Sequence, residues 1–589
     1  MCESIGRGAT EHSDLDGTTG QRTMPKTLVT FGSFLAAKDL RAYLTWSAAY
    51  ALVAHFTGAY FMADTVNFVA DVYNYQLGIR DRLWEFGHLF WRPLGWIFLQ
   101  ICEVLVGSVT GPELNVLLTR IFVALNWFAG LACILLLRAV LRQFSIRPMV
   151  VTCTTAALLF SNAFLNYIHS GSSYIPGLAF LLAAFYLLAL QIETRGSILQ
   201  PFSAALMLAI AVCLWFPYIF AVPGVLAIPL FRHYGNPSRW AFTIRVASCT
   251  LILGLVFYGS VLVCNGLFNV HDIYQWVTAE SRAVGGVGGP ARAIFGVARS
   301  FINMGNDGVF FKRFLLHDPY NPVSFFDLLR LSFVKFLLFY SVLVLVFSRL
   351  VSNPRIFWMC LVTAIPVLAF AVFWHGGDTE RYLPLYPVFF VGLAHFVDDN
   401  RTPVYFKWLA GTLLLVSIVS NCGATSSFLL DREQRQAEER IKDVLPLLKP
   451  HSRLVLVDIH DELENFGRSF PFDPVVRGQM LRTYPVLNPG TVQTLHWRQD
   501  LMSVVLNVWM SHGDIWVSGR ILEPRPHRDW NWVEGDDPRV TWSMVHSFFT
   551  QLDYSRSVGN GDGFLLLPPT AKNEAIIRSL WDGKAAVKF

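Results

Sequence analysis

The sequence predicts a polytopic α-helical membrane protein of about eleven transmembrane helices that carries a small C-terminal α/β soluble domain. Three observations predict this. The chain is 53% hydrophobic with a mean hydropathy of +0.43 and only 15% charged residues, where soluble domains run near 25% charged, roughly. Of its 89 Asp, Glu, Lys and Arg residues, 40 follow Thr425. Before that point, long apolar runs with few charges recur. Two solvents are implied, lipid for the first 424 residues and water for the rest, which excludes a fully soluble enzyme, a disordered chain and a fibrous repeat. The net charge of +5 is spread over loops with no basic domain, so it suits a membrane surface and no nucleic-acid partner is expected.

Residues 1–41 form a polar, cytoplasmic N-terminal segment. Its first 24 residues lack the basic start and apolar centre of a cleaved signal, and are either a disordered lead-in or an overlong start ahead of Met24. Residues 42–424 are the transmembrane domain. A hydrocarbon core of about 30 Å takes about 20 apolar residues per helix. The runs are 42–62, 114–137, 148–168, 174–190, 203–231, 243–265, 328–348, 356–374, 383–397 and 404–422. Pro217, Pro223 and Pro229 divide 203–231 into two short spans hinged at Trp215–Tyr218. Lys26, Lys38 and Arg41 precede the first span, and Arg138, Arg142, Arg147, Arg195, Arg232, Arg239, Arg349 and Arg355 fall in alternate later loops. The positive-inside rule puts all of these in the cytoplasm. The outer face then receives loop 63–113, His169–Ser173, Trp215–Tyr218, loop 266–327, Trp374–Tyr382 and everything after Thr425.

The apolar stretch 93–110 would break this alternation if it crossed, so it is expected to dip in from the outer face as a re-entrant or interfacial helix. Residues 64–90 mix charge with an apolar stripe of Val66, Val69, Ala70 and Tyr73, the pattern of a helix lying flat at the interface. The loop 266–327 has glycine hinges at 285–290 and the length of a lid. Residues 425–589 read as the soluble domain, with an amphipathic helix at 431–449 and strands at Arg453–Asp458, Asp514–Val517 and Gly563–Leu567. Tryptophans 497, 509, 516, 530, 532 and 542 enrich its middle and suit core packing more than sugar stacking or bilayer docking. The nine cysteines are scattered singly through the apolar part, without a CxxC or Cys/His cluster. They read as small core residues, and no metal site is expected.

Polar and charged groups gather at the outer mouth of this bundle: Asp64 after the first span, Arg120 and Lys335 near outer span ends, and His375, Asp378, Glu380 and Arg381 in one short loop. Charge at a span end is costly to immerse, so these are functional candidates, although snorkelling accounts for many single Arg and Lys residues. One carboxylate beside several cations at a membrane surface suits transfer of a sugar from a lipid phosphate. The carboxylate takes the proton of an acceptor hydroxyl and the cations hold the departing phosphate.

The segments MADTVNFVADVYNY, GHLFWRPLGWIFLQI and LNVLLTRIFVALNWFAGLACILLLRAVLRQFSIRP, followed later by ERYLPLYPVFF, together resemble the C-type (GT-C) membrane glycosyltransferases that use polyprenyl-phosphate sugars. The likeness covers roughly residues 42–425. It implies Asp64 as the catalytic acid-base residue, Arg120 as the early Arg of the next span, and Arg381 with Tyr382 as the pair on the lipid phosphate. His88-Leu89-Phe90-Trp91-Arg92-Pro93 replaces the family's His-Pro-Pro-like element, and His88 and Arg92, with His375, Asp378, Glu380 and Lys335 from the outer charge cluster, complete the expected substrate-binding set. The second acid usual in that family is Thr65 here, which weakens the case for a divalent cation that wants several oxygen ligands. No cofactor is therefore expected. The expected activity is inverting transfer of a monosaccharide from a polyprenyl-phosphate donor to a hydroxyl of a lipid, glycan or protein acceptor. It would act on the outer face of a bacterial inner membrane. A flippase for lipid-linked glycans is the alternative, and would call for internal repeats and charges at mid-bilayer. A scaffold anchoring the soluble tail would not require the outer charge cluster.

Overall fold

The computed structural model describes residues 37–62, 64–78, 83–110, 112–190, 198–283, 289–305, 309–432, 435, 443–444, 447–449, 451–455, 497–528, 532–535, 540–559 and 563–579. The polar lead-in, Lys26, Arg195, the hinge glycines 285–288, most of the helix expected at 431–449, Trp530 and the side chains of Lys38, Val66 and Trp497 lie outside the described residues.

Among the described residues up to Ala424 the regular elements are helices. In order, the elements are α1 (Ala37–Phe56), α2 (Thr65–Gln76), α3 (Trp91–Val106), α4 (Pro112–Gln143), α5 (Pro148–Leu159), α6 (Asn162–Tyr167), α7 (Tyr174–Ala189), α8 (Leu199–Leu214) and α9 (Val222–Arg232). They continue with α10 (Arg239–Cys264), α11 (Val270–Ala283), α12 (Pro290–Phe301), α13 (Val309–Leu316), α14 (Phe325–Leu328), α15 (Val334–Leu350), α16 (Pro354–Phe373), α17 (Tyr386–Asp398) and α18 (Val404–Ala424). Among the described residues, four helices are long and apolar enough to cross a bilayer by length and composition: Glu113–Gln143 within α4, α10, α16 and α18. Along α10, Ile244, Leu251, Ile252, Leu255, Val256 and Val263 are each more than half exposed, as are Trp408, Leu415 and Val419 on α18. A helix apolar on every side with this much exposed surface is solvated by lipid.

The expected spans differ from the helices where polar side chains intervene. The first span stops at Phe56, because the Thr57 hydroxyl turns back onto the Val53 carbonyl and the Asn166 side chain takes both backbone groups of Phe61. The third breaks between Leu159 and Asn162, and Ser161 caps its own turn onto Leu158. The run 203–231 divides at an extended Trp215 and a 3-10 turn, Phe216–Ala221. The 16 residues of α3 reach about 24 Å. On α2 the buried stripe is Phe68, Val69, Val72 and Tyr73, one step round from the expected one, with Ala70 half-buried.

Contacts sort the loops into two sets at opposite helix ends. At one end Arg147 pairs with Asp398 at 2.5 Å, Arg349 with Asp399 at 2.7 Å, and Arg232 donates to the Ala189 and Gln143 carbonyls. At the other, the Gly58 amide donates to the Thr425 carbonyl at 2.6 Å, Phe216 to Gly87 at 2.9 Å, and the Trp91 indole to Gly171 at 2.8 Å.

The tail packs α19 (Trp497–Met510), α20 (Trp542–Thr550) and α21 (Ala571–Ser579) around a sheet of order β1-β2-β4-β3: β1 (Arg453–Val455), β2 (Ile515–Ser518), β3 (Arg556–Val558) and β4 (Phe564–Leu567). β1 runs parallel to β2 and the other pairs are antiparallel. Trp516, Trp532 and Trp542 are buried in this domain. Residues 309–321 are bolted to it. Arg313 on α13 is fully buried beside Asp318 and donates to the Arg528 and Trp532 carbonyls, while Asn321 reaches Pro526. This half of the expected lid is therefore part of the tail's packing.

Candidate functional site at the outer mouth

The segment Ser161–Tyr174 organises the site. α6 is buried throughout, and each of its polar residues has a partner on another segment. Asn162 donates to Arg299 O and Tyr60 Oη, Asn166 pins Phe61, and Tyr167 donates to Glu380 Oε2 at 2.6 Å. Beyond it, the Gly171 amide donates to Thr65 Oγ1 at 2.7 Å and Thr65 passes its own proton to Met62 O at 2.5 Å. Ser173 Oγ lies 2.7 Å from His88 Nδ1, and Tyr174 donates to Asp64 Oδ2 at 2.6 Å. Asp64 precedes α2 at the N-cap position, half-buried, and its side chain makes no capping hydrogen bond.

Arg381 and Glu380 come from the 3-10 turn Thr379–Leu385, which follows α16. Arg381 Nε stands 3.6 Å from Asp378 Oδ2 and 3.8 Å from Glu380 Oε1, and its guanidinium lies over the rings of Trp215 and Phe370. Burial pulls its pKa down, but Glu380, Asp378, Tyr174 and Asp64 outweigh this and raise it, so it stays a cation. Asp64 and Arg381 thus belong to one electrostatic site although 317 positions separate them. Burial, then Asp378, pushes the Glu380 carboxyl up to about 7, against the pull of Arg381 and Tyr167. His375 sits 3.5 Å from Asp378, and burial together with Arg381 lowers its pKa, favouring the neutral ring.

Other expected members are placed differently. Arg92 is buried between Asp71, at 2.6 Å, and Glu85, with Phe68 beneath it, so its charge is neutralised inside the α2–α3 unit. The Tyr382 hydroxyl is buried between the carbonyls of Gly376 and Ala293, at 2.7 and 3.0 Å, where it fastens the turn to α12. Lys335 donates to Asn303 O and Ser420 Oγ, joining α15 to α18. Arg120 is exposed on α4, and among the described residues no polar contact joins it to Asp64 or Arg381. Sequence reasoning missed Tyr167, Tyr174 and Asn166. Their signal was present in SNAFLNYIHSGSSY, a run dense in Asn, Ser, His and Tyr between two apolar spans.

Beside the turn, α12, α15, α16 and α17 enclose an apolar groove of about 310 Å³. Leu385 of the turn, Ile294, Val346, Leu368 and Val388 are among its walls.

The fold and site define an apolar, mostly helical membrane protein in which carboxylates, tyrosines and a buried arginine gather at one set of helix ends. No family model and no curated protein matches the sequence. Among solved structures the chain is similar to ArnT from Cupriavidus metallidurans bound to undecaprenyl phosphate, with TM-score 0.47 and 12% identity over 91% of this chain and 99% of that one. The apo form of that protein gives TM-score 0.49 and 11% identity over 92% and 99%. The oligosaccharyltransferase AglB from Archaeoglobus fulgidus, with an inhibitory peptide and a dolichol-phosphate, gives 0.41 and 10% over 82% and 70%.

Proposed function

We propose that this chain is a membrane glycosyltransferase of the C type, moving a monosaccharide from a polyprenyl-phosphate donor to an acceptor hydroxyl on a lipid, glycan or protein. The observation that carries the reading is that Tyr174, hydrogen-bonded to the Asp64 carboxylate, brings it within electrostatic reach of the Arg381 guanidinium, whose turn also borders a groove lined by apolar side chains. An isoprenoid tail fits the groove by its chemistry, and its phosphate then reaches the turn that carries Arg381. Asp64 Oδ1 accepts the acceptor's hydroxyl proton as the acceptor oxygen bonds to the anomeric carbon. The bond from that carbon to the phosphate oxygen breaks, its electron pair stays on the phosphate, and Arg381 stabilises the charge. A single displacement of this kind inverts the anomeric centre. We further propose that no divalent metal takes part. Thr65 stands where a second acid would be needed, and its hydroxyl is engaged by Gly171 and Met62. The site opens on the extracytoplasmic face of a bacterial inner membrane, with the arginine-rich loops in the cytoplasm.

The test is transfer in nanodiscs supplied with polyprenyl-phosphate-linked sugars. Asp64→Asn abolishes turnover with donor binding kept, and Arg381→Ala weakens donor use by about 1.5–3 kcal/mol, the worth of a charge-assisted contact. Chelation leaves the rate unchanged. Wild-type transfer by Asp64→Asn overturns the base assignment, and lipid movement without sugar release favours a flippase.

A further inference from the structure

Tyr174 is the third member of this centre, and neither composition nor the resemblance points to it. Its ring is 3% exposed and is fixed from three sides. Tyr167 meets it edge-on at 5.0 Å, Trp215 lies tilted at 4.8 Å, and His88 lies at 6.3 Å. Its backbone is fixed as well, because the Tyr218 hydroxyl donates to the Tyr174 carbonyl at 2.7 Å. That approach needs Gly177, where an added methyl group would overlap the Tyr218 ring. A buried phenol must place its proton, and the partner here is Asp64 Oδ2 at 2.6 Å, within the short range of an O–H donated to a carboxylate. Among the described residues the other carboxylate oxygen, Oδ1, has no protein partner.

We propose that Tyr174 is the positioning residue for Asp64. By binding Oδ2 it holds the carboxylate in one rotamer and leaves Oδ1 as the oxygen that meets the acceptor hydroxyl. The inference rests on the reading of Asp64 as the base. The arrangement separates two tasks that a free aspartate would exchange by rotating about its terminal bond: one oxygen is occupied and the other is available. It also separates two carboxyls. Tyr174 serves Asp64, while Tyr167, packed against it, serves Glu380 and thereby keeps that carboxyl on the Arg381 side.

The experiment is steady-state transfer by the full-length protein in nanodiscs, with a polyprenyl-phosphate-linked sugar as donor. Tyr174→Phe keeps the ring and its three aromatic neighbours and removes only the hydroxyl. The expected result is a fall in kcat of roughly tenfold to a hundredfold, with donor KM within about twofold and the unfolding temperature nearly unchanged. A wild-type kcat in Tyr174→Phe while Asp64→Asn is inactive overturns the positioning role and leaves the base assignment standing. Activity in Asp64→Asn overturns the base assignment itself. A rise in donor KM with unchanged kcat, or a loss of kcat matched by a lowered unfolding temperature, also overturns the proposal, since the hydroxyl would then act on the donor or on packing.

Discussion

Glu380 sits in a turn where burial and Asp378 raise its carboxyl from the ordinary 4.5 to about 7. The folded protein therefore keeps a proton that the unfolded chain has already released. The stabilising contribution of that proton is complete below the ordinary value and is lost as the pH rises through about 7. Thermal unfolding of the wild type in nanodiscs is expected to weaken over this window, and Glu380→Gln, which cannot ionise, is expected to flatten the profile. Parallel profiles would show that the carboxyl ionises in the folded state as it does in the unfolded one. Arg92 makes the opposite case, a charge whose partners are internal. Arg92→Met leaves Asp71 and Glu85 buried without their cation, at a cost of about 3–5 kcal/mol. Chemical unfolding should report that loss while donor KM in the folded fraction stays unchanged; a residue on the donor phosphate would do the reverse. The contrast explains what was legible. Asp64, Glu380 and Arg381 could be singled out because charge at a span end is expensive in lipid. Arg92 and Lys335 bear the same mark in sequence, but their cost is relieved by Asp71, Glu85, Asn303 and Ser420, partners that only tertiary contact reveals.

The turn Thr379–Leu385 is held against α12 by a close backbone approach at Gly296. A methyl group added there would overlap the Gly376 carbonyl and come within 2.6 Å of the Tyr382 ring. Gly296→Ala is expected to destabilise by about 1–3 kcal/mol through overpacking. It should also raise donor KM, because the turn that shifts carries Arg381. Gly254→Ala on α10 meets nothing within 4 Å and serves as the control, with a change within about 0.5 kcal/mol. If the two variants unfold and bind alike, the approach at Gly296 is not what seats the turn. Element by element, apolar run length located most of the helices, and the prolines located the break at Trp215. Their ends were not legible. The unwinding of residues 57–62 and the break before α6 are set by side chains such as Asn166, whose partner Phe61 lies 105 positions away. No local pattern carries that information. On α2 the expected Val69 and Tyr73 are buried, but Phe68 and Val72 were missed for a related reason, since they face Trp91, Leu118 and Phe122, neighbours supplied by α3 and α4.

At the scale of the whole molecule, function depends on which loops share a face. Thr57 bridges to Ser426 and the Gly58 amide donates to Thr425, so the chain enters the site and enters its tail at the same level. The Trp276 indole donates to Trp84 O, bringing α11 to that level too. The Arg147–Asp398 and Arg349–Asp399 pairs gather the arginine-rich loops at the other ends of the helices. Cysteine labelling in sealed cells checks this directly, in a background where the exposed Cys153 and Cys264 are replaced by alanine. His271→Cys and Ser511→Cys, exposed on α11 and on the tail, are expected to react with a membrane-impermeant maleimide added outside. Ser352→Cys and Arg401→Cys, exposed beside the arginine pairs, are expected to react only after the membrane is opened. The two outcomes that matter are distinct. If all four labels invert together, the contacts stand and the positive-inside orientation is wrong, so a donor sugar would be met in the cytoplasm. If position 271 and position 511 label from different sides, the tail and the site do not share a face, and neither the outer-mouth assembly nor transfer at it survives.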